Sequence, residues 1–214
     1  MSGFCHLHLH TEHSLLDGYG NAKQYITRAK EIGFEYIACT DHGSQDGLIK
    51  FQKEADKQGI KPVLGCELYI VPDASVKKAG EFRHHMTVLI KNEEGHQNLC
   101  KILTESNLHG FYYKPRADFE MIKKYCKGLV FLSGCSSSVL RSEIGIIFFK
   151  ELRDLCPGDC YVEVMPHLFD DQIKINQIGI ATGFNQVATN DCHYVNEDDD
   201  KVQEVLLAIQ TKSK

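Results

Sequence analysis

The chain has no apolar run long enough to span a membrane, and it opens Met-Ser-Gly-Phe without a basic-then-apolar leader. Both absences point to a cytoplasmic protein with no membrane partner. There is no internal repeat, low-complexity tract or linker-like stretch. The 214 residues, 43% of them hydrophobic, are therefore expected to bury one core as a single domain spanning 1–214. Positive charge is not in excess: the net charge is -5 and the sequence pI about 6.1. That excludes a general nucleic-acid coat protein but leaves room for a nucleic-acid enzyme whose acids are held in a metal site. The nine cysteines are odd in number and, in a reducing compartment, read as free thiols and metal ligands rather than a disulfide framework. Cys156 and Cys160 around Pro157-Gly158 are too little for a separate zinc site.

What the chain does have is the run His6-Leu-His-Leu-His10, followed by Thr-Glu-His13 and Ser-Leu-Leu-Asp17-Gly. On an extended strand His6, His8 and His10 share one face and Cys5, Leu7 and Leu9 the other. Several neutral imidazoles on one face suit zinc, manganese or iron and would repel one another if protonated. Ligand-type residues recur on five further β-type runs. Cys39-Thr-Asp41-His42 follows Tyr36-Ile-Ala, and Gly65-Cys-Glu67 lies inside Pro62–Ile70. His84-His85 opens Met86–Ile90, Ser133-Gly-Cys135 closes Gly128–Leu132, and Asn190-Asp191-Cys-His193 closes Gln186–Thr189. Most of these residues sit at C-terminal strand ends, where barrel-type α/β folds place their chemistry. If the last segment is extended, Cys192 faces away from Asp191 and His193.

Between the runs the apolar period is helical: 22–32, 47–58, 98–108, 117–125, 137–155, 171–182 and 198–210. Strand–helix alternation with about seven units predicts a parallel α/β barrel one unit short of eight. Phe111-Tyr-Tyr-Lys-Pro-Arg116 pairs aromatic faces with two cations. It nominates Tyr112, Tyr113, Lys114 and Arg116 as nucleic-acid contacts, with a solvated loop as the alternative.

His8-Leu-His10-Thr, Ser14-Leu-Leu-Asp17-Gly, Thr40-Asp-His-Gly43, Gly65-Cys-Glu67, His85-Met-Thr-Val-Leu, Leu132-Ser-Gly-Cys135 and Ala188-Thr-Asn-Asp-Cys-His-Tyr194 resemble the ordered motifs of the PHP (polymerase and histidinol phosphatase) superfamily. Within it the resemblance is to the N-terminal domain of bacterial DNA polymerase III alpha subunits. Lys91-Asn-Glu-Glu-Gly95 and Gly110-Phe-Tyr-Tyr-Lys-Pro-Arg116 are similar to connecting segments of that branch. The resemblance runs from Phe4 to Gln210 and implies a distorted seven-stranded (β/α)7 barrel holding two or three divalent transition-metal ions (zinc, manganese or iron). It implies that His8, His10, Glu67 and Asp191 hold one ion, that Glu67 bridges to a second held by His85 and Cys135, and that Asp17, His42 and His193 hold the third. His6 sits where the family often shows an acid or another polar residue and is expected to orient a ligand rather than touch metal. The segment from Ser138 to Tyr161 is shorter than usual. The chain stops just beyond Thr211, where polymerase domains begin in that family, so a free-standing or excised PHP module is expected.

The chemistry implied is hydrolysis of a phosphate ester. His13 and His84 are candidates for phosphate contact or for protonating the leaving group. The resemblance favours a 3′-5′ exonuclease with a proofreading role in DNA replication, acting on a single-stranded or frayed DNA 3′ end, with separate polymerase subunits as partners. The alternatives are a phosphomonoesterase on a small metabolite and a metal-stabilised docking module of a replicative polymerase.

Overall fold

The computed structural model describes residues 3–166 and 170–212. In chain order its elements are α1(Ala22–Glu31), β1(Tyr36–Cys39), α2(Leu48–Gln58), β2(Lys61–Val71), β3(His84–Ile90), α3(Glu93–Leu108), β4(Arg116–Asp118), α4(Phe119–Lys124), β5(Leu129–Leu132), α5(Glu143–Leu155), β6(Cys160–Val164), α6(Asp170–Thr182), β7(Asn185–Ala188) and α7(Asp200–Thr211). The α/β class and the count of seven strands and seven α-helices, among the described residues, agree with the expectation. The chain divides into two compact units, Met1–Cys66 with Thr189–Lys214, and Glu67–Ala188.

In the first unit β1 pairs in parallel with the start of β2, Tyr36 against Lys61 through Cys39 against Leu64. Helix α1 starts at a reciprocal cap, where Asn21 Oδ1 accepts from Gln24 N and Gln24 Oε1 accepts from Asn21 N. Its Tyr25, Ile26 and Ala29 are buried at three- and four-residue spacing. Helix α2 buries Leu48, Phe51 and Ala55 in the same way and stops at Gly59, whose φ of 74° suits glycine.

The expected strand His6–His10 does not form a ladder. The backbone bends at His8 and makes one bridge, Leu9 with Cys192. It is held by His10 N to Cys192 O (2.8 Å), Cys192 N to His8 O (3.1 Å) and Thr40 N to Leu9 O (2.9 Å). Simple alternation therefore fails across the bend.

In the second unit the end of β2 pairs in parallel with β4, β5 with β6 and β6 with β7, while β3 runs antiparallel to β5. That reversal and the lateral position of β4 are the distortions. Sequence pattern missed β4, which is three residues long, and β6, whose Cys-Tyr-Val-Glu-Val carries a carboxylate on its buried face. Helix α3 starts five residues earlier than its apolar period because Asn92 caps it, accepting from Gly95 N at 3.0 Å. The unit's core is aromatic and aliphatic: Phe131, Phe149, Leu99 and Ile102 are fully buried, and Phe119 stacks on Phe148 at 4.2 Å.

Candidate metal centre

In the first unit six ligand-type residues converge. His8 and His10 are fully buried, and their Nε2 atoms face each other at 3.1 Å. Both lie 3.3 Å from Asp191 Oδ1. That oxygen is buried and in hydrogen-bonding geometry with neither ring. Donors about 2.0 Å from a tetrahedral ion are about 3.3 Å apart, so this triangle has the edge lengths of a coordination site. Asp17 Oδ2 lies 2.7 Å from His42 Nε2 and 3.3 Å from His193 Nε2. The His10 ring stacks on both, 4.2 Å from His42 and 4.5 Å from His193. Ring nitrogens of His10, His42 and His193 lie within 4.8 Å of one another.

A second layer sets the tautomer of His10. Ser14 Oγ donates to Asp41 Oδ1 at 2.7 Å, and it accepts from His42 N at 3.1 Å. A hydroxyl has one proton, so at 3.0 Å from His10 Nδ1 it acts as acceptor. Nδ1 then carries the hydrogen, and Nε2 presents a lone pair to Asp191 Oδ1. Asp41 is 1% exposed and is anchored by Thr11 N (2.7 Å) and Thr11 Oγ1 (2.8 Å). Tyr25 donates to His10 O at 2.9 Å. His193 Nδ1 donates to the Asp191 carbonyl at 2.9 Å, which turns its Nε2 to Asp17.

The electrostatics follow the geometry. Burial alone would raise both carboxyls, but His193 and His42 hold Asp17, and His8, His10 and His193 hold Asp191, well below the usual carboxylate range. Burial would lower His193, yet Asp17 and Asp191 raise it. Without a cation the group is a set of imidazoles and carboxylates competing for few protons. Asp191 itself sits at φ 48°, a left-handed backbone that aspartate tolerates better than most residues.

The second unit has its own group. Glu67 is 1% exposed, and its Oε1 lies 3.2 Å from His85 Nδ1. Cys135 Sγ lies 3.6 Å from the same nitrogen, against about 3.5 Å for a sulfur and a nitrogen on one tetrahedral ion. Gly134 makes this placement: it has φ +87°, and a Cβ there would stand 2.3 Å from His85 O. Its N donates to Glu163 Oε2 at 2.6 Å, and Thr87 Oγ1 donates to the same oxygen at 3.2 Å. Glu163, Ser14 and Thr11 were not identified from the sequence. Their signal was only that a ligand loop needs a polar anchor.

Other nominated residues fall elsewhere. His6 does not share the face of His8 and His10: past the bend its Nδ1 lies 3.3 Å from Cys192 Sγ, and its ring packs on Phe4 and Phe34. Cys192 thus meets His6 rather than the candidate ligands, although the segment is not extended as the alternation argument required, since Asp191 has φ 48°. His84 points opposite to His85, with Nδ1 donating to Ser138 O at 3.0 Å. His13 Nε2 is buried without a hydrogen-bond partner among the described residues. Tyr113 is 72% exposed, Tyr112 meets it edge-on at 4.6 Å, and Lys114 Nζ lies 5.4 Å over Tyr69. Arg116 must be corrected, because it is 1% exposed and its guanidinium is spent. It donates to Gly110 O (2.9 Å), Ala74 O (2.7 Å), Val76 O (2.8 Å) and Glu81 Oε2 (2.8 Å), leaving it unavailable to phosphate.

Comparison with known proteins agrees with this chemistry. The PHP domain family matches residues 6–167. The chain belongs to the PHP family. The chain is 37% identical over its whole length to the DNA polymerase III subunit alpha of Borreliella burgdorferi. It is 35% identical over 96% of its length to that of Chlamydia pneumoniae. It spans about a fifth of these relatives, 20% and 19% of their length. Among solved structures the fold matches a protein of Bifidobacterium adolescentis assigned to the metal-dependent phosphoesterases. There the TM-score is 0.63 at 14% identity, covering 95% of each chain. It also matches an amidohydrolase of Chromobacterium violaceum with bound sulfate, at TM-score 0.58 and 15% identity, covering 94% of this chain and 96% of that one. No helix among the described residues is long and apolar enough to cross a membrane.

Proposed function

We propose that this PHP chain is a phosphoric-ester hydrolase working with two or three divalent ions (zinc, manganese or iron), and that it removes nucleotides from the 3′ end of single-stranded or frayed DNA. One observation carries the reading: the fixed tautomer of His10 aims a lone pair at a buried carboxylate oxygen of Asp191 3.3 Å away, with His8 Nε2 3.1 Å from the same nitrogen, a convergence of electron-pair donors that suits a cation. The polymerase relatives supply the choice of DNA and of a replicative role. All nine cysteines are free, which suits the cytoplasm.

His8, His10, Asp17, His42, Asp191 and His193 in one unit, and Glu67, His85 and Cys135 in the other, are the residues that would hold metal. Bound divalent ions would acidify water and neutralise charge developing on the phosphate oxygens. The protein's own part is orientation. Ser14 and Asp41 lock His10, the Asp191 carbonyl locks His193, and Glu163 with Gly134 locks the Cys135 turn. His13, with a buried Nε2 left over, is the candidate to carry a proton to the leaving alkoxide. His84 is less suited: burial lowers its pKa and its Nδ1 is already spent on Ser138.

The test is parallel incubation of metal-loaded protein with end-labelled single-stranded DNA and with p-nitrophenyl phosphate. Nucleotide release from the 3′ end is expected. Asp191→Asn should abolish it with an unchanged circular dichroism spectrum, because asparagine also tolerates the left-handed backbone. Absence of DNA hydrolysis by fully metallated wild type would refute the exonuclease. Turnover of the small ester alone would favour a phosphomonoesterase. A docking module is the second reading, favoured by the exposed Val202, Val205 and Ile209 on α7, and inertness toward both substrates would support it.

A further inference from the structure

The second unit contains a cleft of about 650 Å³ lined by Tyr69, Phe82, Arg83, His85, Tyr112 and Tyr113, with Ala79, Gly80 and Glu81 completing the wall. Its volume lies in the range of small-molecule sites, and its lining is unusual in three respects. Phe82 and Tyr113 are 49% and 72% exposed, whereas the unit's other phenylalanines mostly fill its core. Arg83 has no ion pair among the described residues, and Glu81, the one carboxylate in the wall, is neutralised by Arg116 at 2.8 Å. The cleft is therefore positive and aromatic. Tyr113 is also held at φ 62°, costly for a bulky side chain and the kind of strain that persists where a side chain must be presented.

We propose that this cleft seats the terminal nucleotide of the substrate, its base against Tyr112, Tyr113 and Phe82 and its phosphate at Arg83, leading to His85. The inference rests on the hydrolase reading and adds which residues select a nucleotide over a simple phosphate ester. Aromatic rings stack on any base, so the cleft confers preference for nucleic acid without preference for sequence. An unpaired guanidinium beside them supplies a bidentate phosphate contact. Arg116 is a positioning residue here: its bonds to Ala74, Val76 and Glu81 fix the segment that carries Phe82 and Arg83.

The experiment is fluorescence anisotropy with a 5′-labelled oligothymidylate protected at its 3′ end by phosphorothioate linkages, against the same probe with an abasic 3′ terminus. Wild type should bind the abasic probe about fivefold or more weakly, since one stacked base is lost. Tyr113→Ala should bind the normal probe as weakly as wild type binds the abasic one and lose little further when the base is removed. Arg83→Gln should reduce the slope of log affinity against log salt by about 0.7, one phosphate contact on a single strand. Equal binding of both probes by wild type, or an unchanged base dependence in Tyr113→Ala, overturns the proposal. Wild-type turnover of p-nitrophenyl phosphate, measured separately, reports on the hydrolase reading alone.

Discussion

Replacing Arg116 by methionine separates a structural arginine from a nucleic-acid contact. The side chain is 1% exposed and donates to three backbone carbonyls and one carboxylate. Methionine fills similar volume and supplies none of those donors. Breaking a buried ion pair by removing one partner costs about 3–5 kcal/mol. Glu81 is 21% exposed, so water recovers part of its solvation and the lower end, about 3 kcal/mol, is expected. For a chain of this length that corresponds to a fall in melting temperature of about 6–12 °C. Urea denaturation followed by tyrosine fluorescence would measure it. Oligonucleotide binding should weaken, because the cleft segment loosens and Glu81 in its wall is no longer neutralised. A loss of stability below about 1 kcal/mol would refute the buried geometry and restore Arg116 to the surface.

Ser14→Ala should remove the acceptor that fixes His10 and weaken metal binding about 10–100-fold, read by competition with a chelating indicator, without removing a ligand. Elemental analysis should find two or three ions per chain. Chelation should lower stability by about 2.7 kcal/mol for each ion removed when the prior free metal stood a hundredfold above Kd. Cys135→His should retain that metal complement and Cys135→Ala should lose one ion, while Cys192→Ala, whose sulfur meets His6 instead, should lose none. His6 should show itself in the pH profile of metal-free protein. Burial lowers its pKa, so the folded state favours the neutral ring; stability present above the unfolded value of about 6.5 is lost as pH falls toward the lower folded value. His6→Phe should flatten that acid-side loss, and an unchanged profile would place the histidine in water.

The candidate ligand residues were legible because coordination chemistry restricts residue type, and five short runs each carried one, mostly at the C-terminal end. Helices α1 and α2 were legible for a similar reason, since a single buried face repeats over three turns and ends at glycine. What escaped was set by interactions between distant segments. The bend at His8 depends on hydrogen bonds to Cys192 and Thr40, so the period-two argument that put His6 beside His8 had no means of detecting it. β4 has three residues and no period of its own; it exists because Tyr69 to Val71 offers a partner. Arg116 looked like a phosphate contact because its neighbours are aromatic and basic, and only the carbonyls of Ala74, Val76 and Gly110 explain why its charge is inside. Ser14 and Glu163 carry no ligand signature, yet in the proposed centre they would decide which nitrogen or sulfur faces a cation. A centre of this kind is therefore written in sequence as donors, and completed in space by hydrogen bonds that give each donor one direction.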